Sequence, residues 1–418
     1  MNTKGIQKKG LTHSQMLLWA GQQLSQNAPL HNTAHTFDIS GSVDHKIFVK
    51  AFQETIRTTD ALRTVFFNEG GVPQQHVLES IEFEPECIDL TGKKEEGEIQ
   101  GIVHGRSRWK LDLEKRAFDC ALFKINETRY IWFLNMHHLV TDAISATIVY
   151  KRVVAIYSSL EQGEPEGYTN FPQYTTYVDF EQRQHMEEWS SEIQDYRENK
   201  ASAGSEQPVF FGRKPGNSVT EATRVSLKLG KKRTEKLKAL AKRPEIRSWT
   251  HNLTLFNLLA TGFFTYLHRI SGQNRMRIGA PAHNRLNKSL SETVGLFIEI
   301  FPLEAEFCED DTFNSLLQRL KIEGNQYLRY AQPGSVTPKI SGSFNVILNF
   351  INASFSDFDG RPMKSEWLHT GHIDITHQIR CHVVDFDNRG DIELLFDLNH
   401  GTFNQDLIHK VPIHILNL

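Results

Sequence analysis

Cysteine is scarce in this chain: four residues in 418, Cys87, Cys120, Cys308 and Cys381, lie far apart, and none belongs to a CxxC pair. Neither a disulfide framework nor a cysteine zinc site is indicated, and a reducing cytoplasm is the compartment this usage fits. Long hydrophobic runs are also missing. No signal-peptide core opens the sequence, and the most apolar helix, from Leu253 to Ile270, is interrupted by Asn257, Thr261 and His268, so no membrane partner is expected. An excess of one charge is lacking too. With 47 Lys and Arg against 50 Asp and Glu, the formal net charge is -3, which gives no field for nucleic acid. The short basic runs Lys8-Lys9 and Lys231-Lys232-Arg233 read as solvated surface. No GxGxxG, phosphate loop, HExxH or GxSxG is present, which removes the sequence signals for nucleotide, zinc-protease and serine-hydrolase chemistry.

What the chain does contain is an alternation of strand and helix patterns long enough for two lobes, each with its own core. In the first part, Ser14-Gln15-Met16-Leu17-Leu18-Trp19 opens a helix, Thr33 to Ser40 reads as a strand, and Val43 to Thr58 as an amphipathic helix. Between about Asn199 and Glu221 the composition turns to Gly, Ser, Pro and Lys and the apolar periodicity lapses, so the division expected is residues 1–198, a linker over 199–221, and 222–418. A second α/β set follows: strand Thr223 to Leu229, helix Thr234 to Ala241, the long helix from Leu253, and strand Met276 to Ala280.

The segment with the most chemistry in it is Met136-His137-His138-Leu139-Val140-Thr141-Asp142-Ala143. Upstream, Tyr130-Ile131-Trp132-Phe133-Leu134-Asn135-Met136 is a buried-strand pattern. Downstream, Ile144, Ile148, Val149, Val153 and Ile156 recur at helical spacing toward Leu160, with Thr141 or Asp142 able to cap the first turn. Consecutive strand residues point to opposite faces, so one imidazole reaches a cleft while the other braces the strand; spacing does not say which.

Six ordered segments carry a resemblance. Leu11-Thr12-x-Ser14-Gln15-x-x-Leu18-Trp19, Ala61-Leu62-Arg63-Thr64-Val65-Phe66, His137-His138-x-x-x-Asp142, Tyr177-Val178-Asp179-Phe180, Gly279-Ala280-Pro281-Ala282-x-x-Arg285 and Val294-Gly295-Leu296-Phe297 follow the motif order of one family. On these residues the chain resembles the condensation domains of nonribosomal peptide synthetases, within the chloramphenicol acetyltransferase-like superfamily. The resemblance implies an α/β fold of two such lobes in a V-shaped pseudo-dimer with a tunnel between them. It also implies an acyltransferase that forms an amide in antibiotic or siderophore synthesis, by attack of an acceptor amine on a donor acyl or peptidyl thioester. Donor and acceptor carrier proteins would deliver both substrates on phosphopantetheine arms, with no intrinsic cofactor and no metal. Other domains of the same synthetase are expected as neighbours, and the isolated domain is expected to be a monomer. The final apolar run, Ile413 to Leu418, reads as an element cut short, as in an excised domain.

In that reading His138 accepts the amine proton, His137 braces the loop, and Asp142 is structural, paired with an arginine for which Arg285 is the first candidate and Arg63 the second. Asn349, within Val346-Ile347-Leu348-Asn349-Phe350, resembles a tunnel-facing position. Three departures stand out: Ala143 replaces the motif's closing glycine, Thr58-Thr59-Asp60 replaces Arg-His-Glu, and Glu299 replaces an asparagine. Glu299 is read either as tunnel-lining, where it would favour a basic acceptor, or as a rim residue facing water. His369, His372, His377 and His382, with Asp374 and Cys381 among them, fit no common metal spacing and are read as tunnel-facing or surface. Two other functions share the scaffold: a catalytically silent recruitment platform, and an ester-forming or epimerising relative.

Overall fold

The structure, a computed structural model, describes residues 8–92, 95–164, 171–184, 190–202, 207–210, 219–386 and 390–418. Contacts divide the chain into two units. The first takes residues 1–186, 285–297 and 353–370; the second takes 187–284, 298–352 and 371–418. The division therefore differs from a single cut at 199–221, because two later segments pack with the first unit.

The first unit is built on a five-stranded sheet whose order is Met363–Leu368, Asn32–Ser40, Arg129–His137, Phe118–Asn126 and Glu86–Asp89. Arg129–His137 lies in the middle, buried at every position after its first residue, which is why its sequence is continuously apolar rather than alternating. On one face Trp132 meets Phe37 at 4.8 Å and Phe48 at 5.4 Å, and stacks on Tyr150 at 5.4 Å. Phe48 and Tyr150 belong to the helices His45–Thr58 and Ala143–Glu161. On the other face Ile131, Phe133, Ala121 and Phe123 pack with Ile99 and Val103 of the helix Glu96–Ser107. The late segment joins this unit for two reasons. Met363–Leu368 pairs antiparallel along Asn32–Ser40, and Phe355 seats its ring 4.9 Å from Phe37 and 5.3 Å from Tyr150.

The second unit carries a six-stranded sheet ordered Ile298–Glu306, Arg275–His283, Val346–Phe350, Ile379–Val384, Glu393–Asn399 and Ala222–Lys228. Its long helix, His251–Ser271, begins where Thr250 accepts from Leu253 N and ends at Gly272, whose φ of 70° is the left-handed conformation glycine adopts freely. Leu255 and Leu258 of that helix pack on Leu317 of the helix Phe313–Tyr330. Gly279 is required by packing, since a Cβ there would lie 2.5 Å from the Phe344 ring. Within the expected linker, residues 203–206 and 211–218 lie outside the described residues. The described parts are packed: Lys200, on the helix Ser191–Ser202, pairs with Glu323 at 2.5 Å, and Phe210 is fully buried. No helix among the described residues is long and apolar enough to cross a membrane.

Candidate active site

The strand Arg129–His137 delivers the histidine pair to a turn and then to the helix Ala143–Glu161. The turn is tied at both ends: His138 N donates to His31 O at 2.8 Å, and Val140 N donates to His137 O at 3.0 Å. Asp142, rather than Thr141, caps the helix, its Oδ1 accepting from Ser145 N at 2.7 Å.

The two imidazoles have opposite protonation patterns. His138 is half-buried, with Nδ1 2.6 Å from Thr141 O. A carbonyl only accepts, so the neutral ring carries its proton on Nδ1, which leaves the Nε2 lone pair as the basic one. His137 is buried and uses Nδ1 as an acceptor from Leu139 N at 3.2 Å, so its proton sits on Nε2. Burial, with His138 alongside, pushes the His137 pKa down to about 3 and keeps the ring neutral.

Beneath the pair lies a knot of charge and hydroxyl. The Asp142 side chain is fully buried and that of Arg285 is 5% exposed. Arg285 Nη2 donates to Asp142 Oδ1 at 2.9 Å, to Oδ2 at 3.1 Å and to Ser145 Oγ at 2.7 Å, while Nη1 donates to Leu290 O at 2.6 Å and Thr293 O at 2.7 Å. Phe297 N donates to Asp142 Oδ2 at 3.2 Å, and the guanidinium lies 4.1 Å from the centre of the Phe297 ring. Ser145 Oγ exchanges hydrogen bonds with Gly295 O and Gly295 N at 2.7 and 2.9 Å. Gly295 admits no side chain: a Cβ would lie 2.0 Å from a Tyr174 ring carbon, and Tyr174 itself donates its hydroxyl to Leu296 O at 2.7 Å. Arg63, the second candidate for Asp142, donates instead to Leu78 O and Glu79 O.

Three contributors carry no signal in a single sequence. Ser145 links the capped helix to Gly295. Asp60, one of the departures, caps the helix Tyr174–Gln184 by accepting from Tyr174 N at 2.8 Å and Thr175 N at 2.9 Å. Arg152 donates to Thr59 Oγ1 at 2.7 Å and Glu292 O at 2.8 Å.

Glu299 requires a correction. It is 2% exposed, and its carboxylate accepts from Gly334 N at 2.5 Å, Asn284 Nδ2 at 3.1 Å and Val336 N at 3.1 Å, so it neither faces water nor is available to select a basic substrate. The reason is local: a loop with unpaired backbone N–H groups folds over the strand Ile298–Glu306, and a carboxylate supplies the acceptors. Asn349 is half-buried on Val346–Phe350, its Nδ2 3.4 Å from His382 Nδ1. His377 and His382 are buried rather than superficial, His382 lying 3.3 Å from Asp397, and His372 meets Thr220 Oγ1 at 3.0 Å. Among the described residues no group of three or more His, Cys, Asp or Glu is placed to hold a metal.

The family model for the condensation domain matches residues 6–411. The chain belongs to the condensation-domain family. Among curated proteins, surfactin synthase subunit 1 of Bacillus subtilis (strain 168) is 27% identical over 289 residues, covering 68% of this chain and 8% of that protein. The isonitrile lipopeptide synthase of Streptomyces coeruleorubidus is 25% identical over 423 residues, covering 98% of this chain and 28% of that protein. The chain thus spans under a third of the length of these relatives. Among solved structures, the first condensation domain of the CDA synthetase superposes with a TM-score of 0.84 at 19% identity, over 100% of this chain and 96% of that one. A variant of the starter condensation domain of rhizomide synthetase, solved with C8-CoA, gives 0.83 at 18% identity over 98% and 93%. These likenesses show the fold: mixed α/β, as in solved condensation domains. Condensation domains are acyltransferases that form amide bonds in nonribosomal peptide synthesis, working with carrier domains of multidomain synthetases.

Proposed function

We propose that this condensation domain joins an acyl or peptidyl thioester on one carrier protein to an aminoacyl group on a second, with His138 as general base. The observation that supports it is the Nδ1–H bond to Thr141 O, which leaves Nε2 as the proton acceptor on a half-buried ring. The acceptor nitrogen attacks the thioester carbon, the C–N bond forms, and the C–S bond breaks. Nε2 takes the amine proton and can return it to the departing thiolate of the donor's phosphopantetheine arm.

The chemistry asks little else of side chains. A thioester is already activated and a neutral amine is already nucleophilic, so holding the two in attack geometry is the larger contribution, about 7–11 kcal/mol for ideal alignment. General-base assistance adds about 10²–10⁴-fold. His137, Asp142 and Arg285 act as positioning residues that fix the turn carrying His138. Asn349 is a secondary candidate for contact with substrate. Both substrates arrive on carrier arms, and the reaction takes place in the cytoplasm.

Loading a candidate donor and acceptor on two carrier proteins and following product by intact mass spectrometry tests this reading. His138→Ala is expected to lower turnover by about 10²–10⁴-fold; turnover equal to wild type would remove His138 from the mechanism.

A further inference from the structure

A cleft of about 630 Å³ opens in the second unit where the chain enters the helix His251–Ser271. Its wall carries Lys242, Arg247, Trp249 and His251 from that approach, with Lys321 and Asn325 from the helix Phe313–Tyr330, and no Asp or Glu is among the described residues that line it. Elsewhere the same helix neutralises its cations: Arg319 pairs with Asp311, and Arg329 with Glu192. The cations of the cleft have no such partners. Among the described residues no carboxylate lies within ion-pair distance of Lys242, Arg247 or Lys321, and the Lys321 ammonium meets only Glu245 O, a carbonyl, at 3.4 Å.

The segment that presents these groups is held in place. Ala241 and Ile246 are buried in one cluster with Leu255, Leu258 and Leu317. Ser248 is gripped from both sides, its N–H donating to Thr254 Oγ1 at 2.9 Å and its Oγ accepting from Asn257 Nδ2 at 3.0 Å, while Glu245 O accepts from Gln318 Nε2 at 3.0 Å. Arg247 and Trp249 flank that fixed serine, so a ligand would have side chains to order but hardly any backbone. The 21-residue helix brings the positive end of its dipole to the same wall at Thr250 and His251. Trp249 is 73% exposed, its ring in contact with no other ring or cation among the described residues.

A single carboxylate would use one of these groups, and an apolar ligand none of the cations. Three cations, an imidazole and an open indole on one concave wall match a molecule with two or more negative charges at one end and a flat ring at the other. The volume suits a whole small molecule rather than an isolated ion. We propose that this cleft binds a nucleoside diphosphate or triphosphate, with Lys242, Arg247 and Lys321 on the phosphate oxygens and the base against Trp249. None of these residues takes part in the condensation reading, and the proposal stands apart from it.

Calorimetric titration of the whole chain with ADP, adenosine, pyrophosphate and polyglutamate, free of magnesium, tests it. ADP is expected to bind at least about tenfold more tightly than adenosine, which lacks the charges, and at least about fivefold more tightly than pyrophosphate, which lacks the ring. Arg247→Ser should weaken ADP by at least about fivefold, and Trp249→Ala should bring ADP and pyrophosphate to nearly equal affinity. Both residues are exposed, so both variants are expected to fold as the parent does, which circular dichroism checks. The absence of saturable ADP binding, equal binding of ADP and adenosine, or an unchanged ADP affinity in a folded Arg247→Ser protein overturns the proposal. Binding of polyglutamate but not of ADP overturns it too, and marks the cleft as a docking face for an acidic protein instead.

Discussion

Arg285–Asp142 in the first unit and Arg224–Asp397 in the second are both buried arginine–aspartate pairs, and the two have different work to do. In the second unit Arg224 donates to Asp397 at 2.6 and 2.9 Å, but these residues sit directly opposite each other in a ladder that already joins Ala222–Lys228 to Glu393–Asn399 over seven positions. In the first unit Asp142 and Arg285 share no ladder. Their contact, with Ser145 and Gly295, is itself what fastens the segment 285–297 to the start of the helix that follows the histidine pair. Arg224 retains 13% side-chain exposure against 5% for Arg285, so water can take over from a lost partner in one place and hardly at all in the other. A buried ion pair matters most where no backbone ladder shares its task.

The largest expected effect follows from that difference. Asp142→Ala strands a guanidinium in the interior and is expected to cost about 3–5 kcal/mol of stability, read by denaturant unfolding, with turnover lost because the His138 turn is no longer held. Asp397→Ala, in the ladder, is expected to cost about 1–3 kcal/mol. Equal losses in the two variants would break the comparison. Gly295→Ala sharpens it without touching a charge: a methyl 2.0 Å from the Tyr174 ring forces the same segment outward, and overpacking of this kind costs about 1–3 kcal/mol.

Near neutral pH the smallest effect is a dependence of stability on pH. His137 is held near 3 in the folded chain against 6.5 when unperturbed, so below 6.5 the unfolded chain binds a proton that the folded chain does not. Stability from this group is intact above 6.5 and falls as pH drops toward about 3, by at most about 1.4 kcal/mol per pH unit. His137→Gln, neutral throughout, should flatten the stability curve in that window; an unchanged slope would show that other groups set it.

Much of this was legible before any coordinates. The strand Arg129–His137 and the helix Ala143–Glu161 follow from apolar pattern and a capping residue, and the family resemblance implied an arginine partner for Asp142, with Arg285 the first candidate and Arg63 the second. Glu299 was misread. Its acceptor role depends on Gly334 N and Val336 N, backbone donors 35 and 37 residues further on, and no local pattern announces them. Asp60 looked like a departure and turned out to be a helix cap for a segment more than a hundred residues away.

Sequence by itself determined the elements, the family and the identity of the histidine pair, since periodicity, capping and ordered motifs are properties of near neighbours along the chain. Tertiary structure alone decided which imidazole nitrogen carries the proton, which segments belong to the first unit, and where Glu299 spends its charge. Each of those depends on a donor or acceptor brought from elsewhere in the fold, and a hydrogen bond is settled by where its partner ends up.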